Sequence, residues 1–271
     1  FMMDKQELGS ITAKGGFKNE HKIKDKFNSW KTDNEARIWL GLMGYDINKI
    51  DNVKAIQIPV RVSEKELAKI GIKPDKLAET IKFKKADVQI KILIHIGDTI
   101  YTENLSLKKA NLGASFNQVD KRPVDKYKEI WNFDDEIAFW LKLFSGEELP
   151  QRHRNLLTVQ TLKDERRIFF HEMPEEIREK IISFFENNKT LIVSDILRGR
   201  GGLSAEWILV TQFDTINKLT TWVLKDINTA MNFYAQGDVK ISPRGSLNIG
   251  RILMQRKGGT PDPTSLQFKI D

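Results

Sequence analysis

Between Asp87 and Lys108 apolar and polar positions alternate with a period of two, interrupted once by Gly97-Asp98. This is the pattern of two antiparallel strands joined by a two-residue turn with Gly in first place. A turn centred there pairs residues whose numbers sum to 195, so Asp87 faces Lys108 and Gln89 faces Ser106. Side chains alternate faces along a strand. One face therefore carries Val88, Ile90, Ile92, Ile94, Ile96, Tyr101, Leu105 and Leu107, a core face. The other carries Asp87, Gln89, Lys91, Asn104, Ser106 and Lys108.

Elsewhere the period is that of helices. Phe17, Phe27 and Trp30 follow helical spacing within 12–30, and Glu20 sits on the same stripe. A second helix is expected over about 33–43, with Ile38, Trp39 and Leu42 inward and Gly44 as its stop. Residues 53–62 read as a strand that Pro59 confines to an edge or an end. Ser63 to Glu66 is a capping box, Gly71 ends the short helix behind it, and Pro74 starts another. Residues 63–82 thus read as a lysine-rich helical insertion between strands. Helices are expected at 134–144, 174–187 and 227–234, and strands at 191–193, 204–211, 219–224 and 246–256. Strict alternation of strand and helix is missing, so the expected class is α/β in the mixed, α+β sense: one central mixed sheet flanked by helices, in one domain over 1–271.

Composition narrows the chemistry. The 271 residues hold no cysteine, which excludes disulfides and thiolate metal sites. His21, His95, His153 and His171 are scattered without ligand spacing, so zinc is not expected. No apolar run approaches the roughly 18–20 residues of a membrane span, and a cytoplasmic location is the expectation. Lys and Arg number 44 against 37 Asp and Glu, a net +7 compatible with a polyanionic partner.

That charge is focused. Arg198 and Arg200 lie in a Leu-Arg-Gly-Arg-Gly-Gly stretch, 197–202. Lys240, Arg244, Arg251, Arg256 and Lys257 fall between Val239 and Pro261, where there is no acid. Glycine lets a backbone approach a surface closely, arginine suits guanine edges and phosphates, and serines add phosphate contacts. At the open end of the hairpin, Asp87 could hold a metal and Lys108 a nucleophile or phosphate, because paired strand residues have Cβ atoms about 5 Å apart. The plainer reading of that face is a wet surface with a weak ion pair. For Glu20 it is a stripe-edge carboxylate paired with a lysine.

The chain resembles the Type II restriction endonucleases of the PD-(D/E)xK superfamily, closest to the HinP-type enzyme that cuts GCGC and more distantly to the Msp-type that cuts CCGG. The resemblance rests on Glu7-Leu8-Gly9-Ser10, Phe17-Lys18-Asn19-Glu20, Lys85-Ala86-Asp87, Phe116 to Lys121 and Trp131 to Asp135. It continues through Asp195 to Gly201, Ala205-Glu206-Trp207, Ser242 to Ser246, Gln255 to Gly259 and Leu266 to Lys269. The 63–82 insertion departs from the HinP-type pattern.

The resemblance implies Asp87, Ser106 and Lys108 as the catalytic set, with Glu20 or Gln89 supplementing Ser106, which stands where relatives carry an acid or amide. Ala86 stands where relatives have a hydroxyl residue. Asp87 and the Leu107 backbone carbonyl are the implied ligands of Mg²⁺, for which Mn²⁺ would substitute. The implied DNA contacts are Asn117, Gln118 (a minor-groove wedge), Lys121, Arg198, Arg200, Arg244, Ser246, Gln255, Arg256 and Lys257. The implied partner is double-stranded DNA at a short GC-rich palindrome, GCGC expected, in a bacterial restriction-modification system. A homodimer fits a palindromic target, and a companion methyltransferase would share it. The alternatives are a DNA-binding protein of this fold without cleavage and a nuclease of this fold with another target.

Overall fold

The computed structural model describes residues 19–59, 61–84, 89–110, 113, 117–257 and 265–271. These divide into two compact units, one within 1–114 plus 197–230 and the other within 115–196 plus 231–271.

The first unit is built on a five-stranded mixed sheet. Its strands are β1 (Asn52–Ile58), β2 (Gln89–Ile96), β3 (Thr99–Ala110), β5 (Trp207–Asp214) and β6 (Leu219–Asp226), side by side in that order. Only β3 and β5 run parallel. β1 is an edge strand that stops at Ile58, before Pro59, since proline has no N–H for a ladder. Gly97 takes φ +55° and Asp98 does not, the pattern of the turn that matches strand twist.

Helix α1 (19–28) and helix α2 (Asn34–Leu42) cover the apolar side of this sheet: Ile23, Phe27 and Trp39 join Ile90, Ile92, Leu105 and Leu107 in one core. The inward residues of α2 are Ala36, Trp39 and Leu40, with Met43 buried at its C-cap. Ile38 and Leu42, expected inward, are 51% and 54% exposed. Trp39 decides the rotation, because it packs against Phe27 at 5.4 Å and Trp222 at 5.6 Å. The insertion forms α3 (Glu64–Lys69), a 3-10 turn at Pro74–Lys76 and α4 (Leu77–Phe83), with both halves of the Ser63/Glu66 capping box in place.

The second unit holds an antiparallel sheet in the order β4 (Asn117–Arg122), β10 (Leu266–Ile270), β9 (Ile252–Arg256), β8 (Leu247–Ile249), β7 (Val239–Ile241). Its helices are α5 (Val124–Trp131), α6 (Asp135–Ser145), α7 (Glu175–Asn187) and α8 (Lys189–Leu197), and α9 (Ile227–Tyr234) links the units in sequence. Tyr127 stacks on Trp131 at 4.7 Å and meets Phe268 edge-on at 5.1 Å. Leu191 to Val193, expected as a strand, lies in α8. Ile192, Val193, Ile196 and Leu197 are its buried apolar residues, a helical stripe that packing favours over the β preference of the apolar run.

Candidate active site

β2 and β3 pair in the register that the turn dictates, from Ile96 with Thr99 to Gln89 with Ser106, each pair summing to 195. Asp87, expected opposite Lys108, and Ala86 lie outside the described residues. The polar face of the hairpin is not a wet surface. Gln89, Lys91, Asn104, Ser106 and Lys108 are all buried, Gln89 and Ser106 to 0% exposure.

The cover comes from the insertion and from the glycine-arginine stretch. Ile56 and Ile58 share this side of the sheet by register and cluster with Leu67, Ile72 and Leu203. The Asn104 amide donates to the carbonyls of Gly202 and Ser204 at 3.3 and 3.1 Å. Gly202 N donates to the Thr80 hydroxyl at 2.9 Å. A Cβ on Gly201 would sit 2.7 Å from Thr80 Oγ1, and one on Gly202 would sit 2.6 Å from Ile72 Cδ1. These two glycines therefore bring the backbone against α4 and its lead-in; the close approach they permit is internal.

Among the described residues neither the amide nitrogen nor the amide oxygen of Gln89 has a hydrogen-bond partner, and Asn104 Oδ1 in the same row has none either. Leaving a buried polar group unpaired costs on the order of 1–3 kcal/mol, and such a group needs a ligand, an ion or a water to account for it.

Glu20 approaches from the helix side. Gln57, which shares the apolar side with Ile90 by register, donates to Glu20 Oε2 at 3.3 Å. Burial pushes the Glu20 carboxyl up to about 7, and the positive charge of Lys108 pulls it back. Glu20 and Lys108 thus lie in each other's field although they belong to opposite sides of the sheet. Among the described residues Glu20 forms no salt bridge. Glu103 falls on the apolar face, as hairpin parity requires, and accepts from Tyr45 Oη at 2.7 Å and Trp207 Nε1 at 2.9 Å.

One group next to the row was not foreseen. Glu206 accepts a hydrogen bond from Asn104 N, and burial raises its carboxyl while nearby Lys91 lowers it. The Lys91 ammonium is itself held down by burial. Glu206 reaches this face through the parallel pairing of β3 with β5, which no local pattern announces.

Among the described residues no group of three His, Cys, Asp or Glu side chains converges. The oxygen-bearing side chains of the row are Gln89, Asn104 and Ser106, and the Glu206 carboxylate lies beside it. A hard cation that keeps several waters, such as Mg²⁺, fits this donor set, and the orphaned Gln89 amide is the group it would satisfy.

The expected DNA contacts are distributed over both units. Arg198 is exposed, and the Arg200 guanidinium lies over the Phe83 ring at 4.0 Å. In the second unit Asn117, Gln118 and Lys121 lie on β4, where Gln118 pairs with Lys269 and Lys121 with Gln267. Gln267 in turn pairs with Gln255 on β9. Arg256 departs from the expected set: it is buried and bonds Asp164 at 3.3 Å, on the side of the strand opposite to Gln255. Arg244 is exposed at a turn closed by Ser242 N donating to Ser246 O at 2.8 Å. Ser246 is buried inside that turn, its N–H donating to Ser242 Oγ at 3.1 Å.

The fold has a solved counterpart. The chain is similar to the crystal structure of restriction endonuclease MspI in complex with its cognate DNA, with TM-score 0.57 and 13% identity, covering 98% of this chain and 93% of that one. No curated protein sequence matches. Residues 65–271 match the family model of the R.HinP1I restriction endonuclease. That match covers most of the chain, from within α3 to the last residue, and with it the chain belongs to the R.HinP1I restriction endonuclease family, whose Type II enzymes cleave DNA site-specifically.

Proposed function

We propose that this endonuclease hydrolyses double-stranded DNA in a Mg²⁺-dependent reaction at a short GC-rich palindrome, with GCGC as its target. The observation that carries the catalytic part is the buried row of Gln89, Ser106 and Lys108, in which the Gln89 amide has no partner among the described residues. Asp87, the Leu107 carbonyl and the Gln89 amide oxygen would hold the metal, with Glu20 reaching it from the helix side. When bound, Mg²⁺ supplies Lewis acidity at the scissile phosphate and lowers the pKa of a water. The Lys108 ammonium orients the attacking water and stabilises negative charge developing on the phosphate. Burial strengthens that interaction, because the local dielectric is low. Gln89 in this reading takes over the role that Ser106 is too short to fill.

Arg198, Arg200, Arg244, Lys121 and Lys257 supply contacts to the duplex. A palindromic target suits a homodimer, since a two-fold protein matches a two-fold site. A methyltransferase protecting the same sequence is the expected companion. Digestion of a sequenced plasmid with Mg²⁺, Mn²⁺ or EDTA, followed by sequencing of the ends, tests the reading. Discrete cuts within GCGC that EDTA abolishes are expected. Cuts that persist in EDTA would sink the metal role, and cuts at another sequence would sink the target.

A further inference from the structure

Within the first unit the glycine-arginine stretch is fixed from three sides. From β3, Asn104 donates to the carbonyls of Gly202 and Ser204. From α4, the fully buried Thr80 accepts from Gly202 N at 2.9 Å. The stretch also closes on itself, where Ala205 N donates to Arg198 O at 2.8 Å. Leu203 is buried with Leu67 and Ile72 of the insertion. Arg200 therefore leaves a backbone held on either side of it, and is itself extended at φ −129° and ψ 169°.

Its side chain is held as well. The Arg200 guanidinium lies over the Phe83 ring at 4.0 Å, and Lys82 Nζ lies 5.3 Å from the same ring. Phe83 is the last residue of α4. An aromatic ring attracts a cation through its quadrupole. The ring brings no negative charge, so it places the guanidinium without neutralising it. An arginine placed in advance loses less side-chain freedom on meeting an anion than one that swings in solvent. Its planar fork is the shape that matches a phosphate. The bonds from Asn104 tie this stretch to the strand that carries Ser106 and Lys108.

We propose that Phe83 is a positioning residue of this endonuclease: its ring sets the Arg200 guanidinium to grip a phosphate of the duplex. The helical insertion then serves DNA binding through α4. This deepens the DNA-cleaving reading and rests on it, with Arg200 as one of the DNA contacts.

Single-turnover cleavage of a duplex carrying the plasmid cut site, at several enzyme and salt concentrations, tests it. Wild type is compared with Phe83→Leu, Phe83→Tyr, Arg200→Ala and the double variant that joins Phe83→Leu to Arg200→Ala. Melting temperatures check folding, and Phe83→Met replaces Phe83→Leu if leucine unfolds the chain. Loss of the ring should raise the half-saturating enzyme concentration about two- to tenfold, the worth of a cation–ring contact. The loss should fall there rather than on the maximal rate. Phe83→Tyr keeps the ring and should match the wild type. The salt slope should stay unchanged in Phe83→Leu, where the charge is still present, and fall by about one in Arg200→Ala. In the Arg200→Ala background Phe83→Leu should add nothing, since no guanidinium is left to place.

An unchanged half-saturating concentration in Phe83→Leu overturns the proposal. So does an equal loss with and without Arg200, the mark of a ring that acts through packing alone. Either result beside a wild type that cuts leaves the DNA-cleaving function standing. A wild type that leaves the duplex uncut overturns that function and the proposal with it.

Discussion

Gln89 and Ser106 face each other across β2 and β3, both completely buried, and among the described residues the Gln89 amide has no hydrogen-bond partner on either atom. A buried amide left without a partner costs the fold on the order of 1–3 kcal/mol.

Gln89→Leu separates the two roles. It removes an unsatisfied polar group while nearly preserving shape, so stability should stay level or rise by up to about 1–3 kcal/mol. Mg²⁺-dependent cleavage should fall about 10–100-fold, the usual loss when a metal's supporting group is removed. Denaturant unfolding and a plasmid-nicking assay read the two quantities; full activity in a stable variant would end the case for Gln89.

Glu20 predicts a pH signature in metal-free buffer. Its folded value of about 7 lies above the ordinary 4.5. Between those values the folded chain binds more protons than the unfolded one, so this group's contribution to stability is present below pH 4.5 and is lost as pH rises through about 7. Glu20→Gln should therefore gain stability relative to wild type at pH 8 and not at pH 4. Because Lys108 opposes the shift, Lys108→Met should raise the Glu20 pKa further, which carbon-13 NMR titration of the carboxyl can follow. A downward movement would refute the coupling.

Gly201 combines φ +79° with a would-be Cβ 2.9 Å from the Thr80 Cα. Gly201→Ala should cost about 1–3 kcal/mol through local backbone strain. Gly202→Ala meets the end of the Ile72 side chain, which can turn away, and should cost less. The order of the two unfolding midpoints checks that the glycines serve contact with α4.

Arg256 and Lys121 should behave as opposites. Arg256→Met breaks a part-buried bond to Asp164 and should lower stability by about 1–3 kcal/mol, leaving the salt slope of DNA binding intact. Lys121→Ala should leave stability unchanged and reduce that slope by about one. Binding isotherms at several salt concentrations, beside melting curves, decide between these assignments.

The hairpin was legible because its determinants are local. Gly97 tolerates a positive φ, alternation divides the faces, and a two-residue turn permits one register; Gln89 opposite Ser106 follows without tertiary information. The Ser63/Glu66 capping box and the end of β1 before Pro59 are likewise written in neighbouring residues. What the sequence could not decide depends on partners far along the chain. That the polar row is buried depends on Gly202 and Ser204 receiving Asn104, about a hundred residues away. That Arg256 turns inward depends on Asp164, that Trp39 and not Ile38 points into the core depends on Phe27 and Trp222, and that 191–193 is helical depends on packing of α8. Turn chemistry and alternation act within a few residues, so sequence alone determined the two strands of the hairpin from Gln89 to Ser106, their register and which of their residues share a face. Burial, pairing and charge environment arise only when distant segments meet, so the tertiary structure alone decided which of those polar residues are left needing a partner.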